Sequence, residues 1–159
     1  MWFSIWLLFG LAWFVTLAGS TPILAKDIAV CGASEGYGYY PRKGLTSDDP
    51  DAGKWVEDGI SNGRMTLITT ANDALDLLVA DSTGAVYSTI NDGGTVIPIG
   101  RSNEMLSVII VYELGGTVET YTFLNSVSGP EVIWSSNKFG TLILKIAAFR
   151  APCSFIDLD

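Results

Sequence analysis

The chain of 159 residues contains no histidine and two cysteines. Lack of histidine excludes Ser-His-Asp and Cys-His nucleophilic sites and His-ligated zinc. It also removes the side chain best suited to moving protons near neutral pH. Two cysteines are too few for a Cys-rich metal site. Basic residues are scarce as well, 9 against 17 acidic ones, for a net charge of −8. Arg42-Lys43 is the only adjacent basic pair. Nucleic-acid binding needs clustered Lys and Arg, so it is excluded. No Asn-X-Ser/Thr acceptor for N-glycosylation occurs.

Charge is missing altogether from the side chains of the first 25 residues, "MWFSIWLLFGLAWFVTLAGSTPILA"; the first charged side chain is Lys26. An apolar run ending in small residues reads as a secretory signal peptide, with cuts available after Ser20 or Ala25. No Lys or Arg precedes the apolar core, so a membrane anchor formed by residues 2–24 is the alternative. "LAGS" lacks a lipid-attachment cysteine, because Ser20 stands in its place. Residues 26–159 then form a single exported domain. Its acidity serves solubility.

In an oxidising compartment two cysteines usually pair. A Cys31–Cys153 disulfide would tie the ends of the exported domain together. Chain entropy values such a closure at roughly 4–5 kcal/mol.

Residues 26–51 are rich in Gly, Pro and Asp and read as irregular. Beyond them, short segments rich in Val, Ile, Thr and Tyr recur every 8–12 residues or so. They are Arg64–Thr70, Leu75–Asp81, Ala85–Ile90, Thr95–Ile99, Met105–Glu113, Thr117–Leu124, Glu131–Ser135 and Thr141–Phe149. Turn signals separate them, and Asn91-Asp92-Gly93-Gly94 is the strongest hairpin signal. The expected fold is all-β: an antiparallel meander of about eight strands closing into a small barrel or sandwich. "MLSVIIVY" (Met105–Tyr112) is apolar on both faces and predicts a central, doubly covered strand. In Thr117–Leu124, the face Thr117, Glu119, Tyr121, Phe123 opposes Val118, Thr120, Thr122, Leu124.

Glycine is abundant, but no phosphate-binding motif results. Gly32, Gly36 and Gly38 lack the Gly-Lys-Ser/Thr ending of a Walker loop, and Pro41 takes the third glycine place of the dinucleotide pattern. Asp48, Asp49 and Asp51 offer oxygen ligands in one loop. Gly53 and Ile60 break the EF-hand pattern started at Asp49, so the loop reads as solvated. No metal or cofactor is expected. Glu57, Asp58, Asp76, Glu113, Glu119 and Glu131 leave room for a carboxylate-based hydrolase, if two of them meet across a cleft.

Aromatics are the other resource. Tyr37, Tyr39, Tyr40 and Trp55 cluster near the start of the domain, and Tyr87, Tyr121 and Trp134 lie on strands. Such rings either pack in a core or stack on sugars and grip partners. If "EGYGYYP" is extended, Tyr37 and Tyr39 share one face and Tyr40 takes the other.

The set "CGASEGYGYYP", "WVEDGISNGRMTLI", "VYELGGTVETYTF" and "CSFI" resembles small, uncharacterised secreted bacterial β-rich proteins. The resemblance spans Cys31 to Ile156. It implies an exported β domain with a cysteine near each end, and it carries over no activity or site.

The expected function is a non-enzymatic, exported binding or interaction module for a glycan or a partner protein. The alternatives are a lipocalin-like carrier of a small apolar ligand and, third, the carboxylate hydrolase.

Overall fold

The computed structural model describes residues 25–41, 52–139 and 144–158. The apolar segment 1–24, the acidic loop with Asp48, Asp49 and Asp51, and the start of the last expected strand lie outside them. Among the described residues there are eleven strands: β1 (Lys26–Cys31), β2 (Glu35–Tyr39), β3 (Trp55–Asp58), β4 (Arg64–Thr69), β5 (Leu75–Ala80), β6 (Val86–Ser88), β7 (Thr95–Arg101), β8 (Met105–Tyr112), β9 (Thr117–Ser126), β10 (Gly129–Lys138) and β11 (Lys145–Ile156). Every strand pairing is antiparallel.

Nine strands follow one path, β6-β5-β4-β1-β11-β10-β9-β8-β7, and curl into a half-barrel. The other two, β2 and β3, branch from β11. Long β11 makes this possible. Its outer half pairs with β1, matching Cys31 to Cys153, and its inner half pairs with β2, matching Ile146 to Tyr39. The Gly32 N–H donates to Pro152 O where one partner gives way to the other. The disulfide joins Cys31 and Cys153 inside the sheet, not merely end to end.

The concave face holds the core. Leu67, Leu77, Val108, Ile110, Phe123 and Val132 are fully buried there. Each contributes about 1.5–3 kcal/mol of transfer free energy.

Three expectations need correction. Residues 26–41 are not irregular, because β1 and β2 occupy most of them. Their strand character is set by non-local pairing to β11, and their glycines mask it. Gly36 and Gly38 are extended strand residues rather than turn formers. A Cβ on Gly36 would collide with Ala148 O and meet the Phe149 ring at 2.8 Å. Glycine is required there for close approach.

Strand β8 is not doubly covered. Leu106, Val108 and Ile110 are buried, whereas Ile109 and Val111 are only half-buried on the convex face. One neighbour, β7, is an edge strand.

Asn91–Gly94 turns, with Gly93 at φ 81°, but makes no hairpin. Asp76 captures the Ser88 hydroxyl and the Ile90 N–H, and Thr89 N–H bonds Leu77 O. This segment is therefore held to β5, and the turn carries the chain across the open seam from β6 to β7.

Candidate functional site

Alternation on β9, β10 and β11 sends one set of side chains into the half-barrel. From β9 come Thr117, Glu119, Tyr121 and Phe123; from β10, Val132, Trp134, Ser136 and Lys138; from β11, Lys145, Ala147 and Phe149. Register places Trp134 between Tyr121 and Phe149, and Ser136 beside Glu119. The rings stack in a row: Tyr121 to Trp134 at 5.7 Å and 13°, Trp134 to Phe149 at 4.8 Å and 31°. Below the row lies the closed core. Above it, toward Tyr112 and Lys138, opens a cavity of about 610 Å³.

Glu119 stands at the wall of this cavity. Its Oε2 accepts from the Tyr121 hydroxyl at 2.8 Å and its Oε1 from the Ser136 hydroxyl at 2.8 Å. Burial, reinforced by the Glu119 charge, pushes the Tyr121 phenol far above its usual range. That phenol therefore stays a donor. Tyr112, on the neighbouring β8, donates to the Thr89 hydroxyl at 3.3 Å. Burial raises its phenol too, and the carboxylates of Glu119, Asp92 and Asp76 add to the rise.

A second polar group lies at the rim. Lys145 forms an ion pair with Asp58, the last residue of β3. The Tyr40 hydroxyl donates to Asp58 Oδ2 at 3.0 Å, and the Gly59 N–H to Oδ1 at 2.8 Å. Burial acts to raise the Asp58 carboxyl, but Lys145, Tyr40 and Gly59 outweigh it and hold the pKa below the usual range. The Tyr40 phenol is raised by burial and by its bond to Asp58, with Lys145 opposing. Lys145 Nζ also lies 5.2 Å from the Phe149 ring centre and 5.7 Å from that of Tyr40. Gly38 leaves space for this trio: its Cβ would come within 2.9 Å of Asp58 Oδ2.

The four aromatics singled out in sequence do not converge. Tyr37 and Tyr39 do share a face, with Trp55 beside them, and that face is the convex one. Tyr37 and Trp55 are 54% and 57% exposed, and the Tyr39 and Trp55 rings meet at 5.5 Å. Tyr40 points to the concave side. The cavity row of Tyr121, Trp134 and Phe149 was dispersed among strand residues. Its signal is the alternation of Thr117, Glu119, Tyr121 and Phe123, which puts a carboxylate on an otherwise core-like face.

Among the described residues, no group of three or more Asp, Glu or Cys side chains is placed to hold a metal. Among the described residues, the carboxylates with shifted pKa values, Asp58 and Asp81, are both lowered, opposite to what a general acid needs. No helix among the described residues is long and apolar enough to cross a membrane. Compared with family models, curated proteins and solved structures, the chain matches none.

Proposed function

We propose that the chain is an exported, non-enzymatic binding module that takes a small molecule into the mouth of its half-barrel. The observation that carries this reading is the cavity of about 610 Å³ walled by the Tyr121–Trp134–Phe149 row and the Glu119 carboxylate. Small-molecule sites run from about 300 to 1,000 Å³, mostly apolar with a few placed polar groups. The curled half-barrel supports the variant of this reading in which the chain is a lipocalin-like carrier, its end strands β6 and β7 unpaired with each other among the described residues. Export rests on the uncharged segment 1–25, read as a signal peptide. The disulfide supports it, being consistent with an oxidising compartment.

A second reading is favoured by the convex face. Tyr37, Tyr39 and Trp55 form an exposed aromatic group there, with Ile146 47% exposed beside Tyr39. Such a surface suits a glycan or protein partner.

Native mass spectrometry of protein purified from its host tests both export and cargo, through the cleaved N-terminus and any retained ligand mass. Amide NMR with a fragment mixture locates the site. Shifts at Glu119, Tyr121 and Trp134 are expected. Shifts confined to Tyr37, Tyr39 and Trp55 would move function to the outer face.

A further inference from the structure

We infer that the ligand of the half-barrel mouth is an organic cation, an amine or quaternary ammonium on an apolar or aromatic body. This rests on reading the mouth as the binding site.

The two sides of the mouth carry the same kind of chemistry. On one side a carboxylate, Asp58, and two ring faces, Tyr40 and Phe149, hold the ammonium of Lys145. On the other, the Glu119 carboxylate sits beside the stacked Tyr121 and Trp134. Ring faces attract cations through their quadrupole; in the row the Trp134 faces are turned to Tyr121 and Phe149, so on this side the Glu119 carboxylate supplies the attraction and the rings supply apolar wall. Glu119 receives hydroxyl donors only; it forms no ion pair among the described residues. Two neutral donors leave lone pairs on a carboxylate that has about four acceptor sites. A carboxylate in a walled cavity favours a cationic guest over a neutral one of the same shape.

The surrounding field agrees. Three carboxylates line the cavity, Asp58, Asp92 and Glu119, against two ammonium groups, Lys138 and Lys145. Lys145 is matched by Asp58, which leaves two lining carboxylates, Glu119 and Asp92, against one ammonium, Lys138. Lys138 lies across from Thr117, one inward position further toward the rim than the Ser136–Glu119 pair. The chain's net charge of −8 adds long-range attraction for cations.

The test is calorimetric titration of the purified protein with three benzyl probes: benzyltrimethylammonium, its neutral carbon isostere neopentylbenzene, and the anion phenylacetate. The cation should bind roughly tenfold tighter than the isostere, and added salt should weaken it. Glu119→Gln should abolish that preference. Lys138→Gln, at the rim, should tighten the cation a few-fold, and it gives an independent answer should Glu119→Gln fold poorly. Equal or tighter binding of neopentylbenzene or phenylacetate overturns the cation assignment and leaves the mouth as the site. Failure of all three probes, with no NMR shift at Trp134, overturns the site itself.

Discussion

Ser136 and Glu119 face each other across β10 and β9, and the serine hydroxyl donates to the carboxylate at 2.8 Å. Ser136 is almost fully buried, so this bond is shielded from water. Ser136→Ala should therefore destabilise the fold by about 2 kcal/mol, as for a hydrogen bond to a charged group. Tyr121→Phe removes the other donor and should cost a similar amount. The double variant should depart from additivity, because both serve one carboxylate. Urea unfolding of the three variants measures this. Strict additivity would mean that the two hydroxyls act independently.

The disulfide should matter through the unfolded chain. Cys31 and Cys153 are 122 residues apart, and chain entropy assigns about 5 kcal/mol to a loop of that length. Cys31→Ser with Cys153→Ser should lower the urea midpoint substantially, as should reduction of the native protein. An unchanged midpoint on full reduction would show that the sheet alone holds these strands in register.

What was legible in the sequence was whatever depends on near neighbours. The segments from Arg64 to Leu124 sit within a few residues of β4 to β9, because alternation and turn chemistry are local. Glu119 and Tyr121 sharing a face was legible for the same reason. What was not legible depends on distant pairing. Strands β1 and β2 exist because β11 offers them an edge more than 100 residues away. The aromatic row needs β9, β10 and β11 in register before Tyr121, Trp134 and Phe149 can touch. Gly36 and Gly38 look like turn residues until the Phe149 ring and Lys145 are seen to need their space. Asn91–Gly94 has hairpin chemistry, yet Asp76 holds the preceding segment to another strand.

Glycine position should decide the outcome of alanine substitution. Gly36→Ala would drive a Cβ into Ala148 O, a backbone atom that cannot swing aside. Overpacking of this kind costs about 1–3 kcal/mol or more. Gly100→Ala, in β7, meets nothing within 4 Å and should change stability by less than about 0.5 kcal/mol. Thermal unfolding of the two variants side by side checks the contrast. Equal effects would remove the close-approach explanation for the glycines of "EGYGY".

The Asp58 ion pair should make stability fall in acid. Burial opposes ionisation of Asp58, but Lys145, Tyr40 and Gly59 prevail and its pKa in the fold is below the ordinary value. The unfolded chain thus takes up the proton at higher pH than the folded one does. The stabilisation is complete above about pH 5 and is lost as pH falls through the ordinary carboxylate value, near 4, toward the lower value of the fold. Asp58→Asn should therefore be less stable than the native chain at pH 7, by about 1.5–3 kcal/mol. The gap should narrow steadily below about pH 4 as the native carboxyl becomes protonated. Urea midpoints of both proteins between pH 7 and pH 2.5 give the curve. A gap that stays constant over that range would show that Lys145 owes its place to the Tyr40 and Phe149 rings and not to the Asp58 charge.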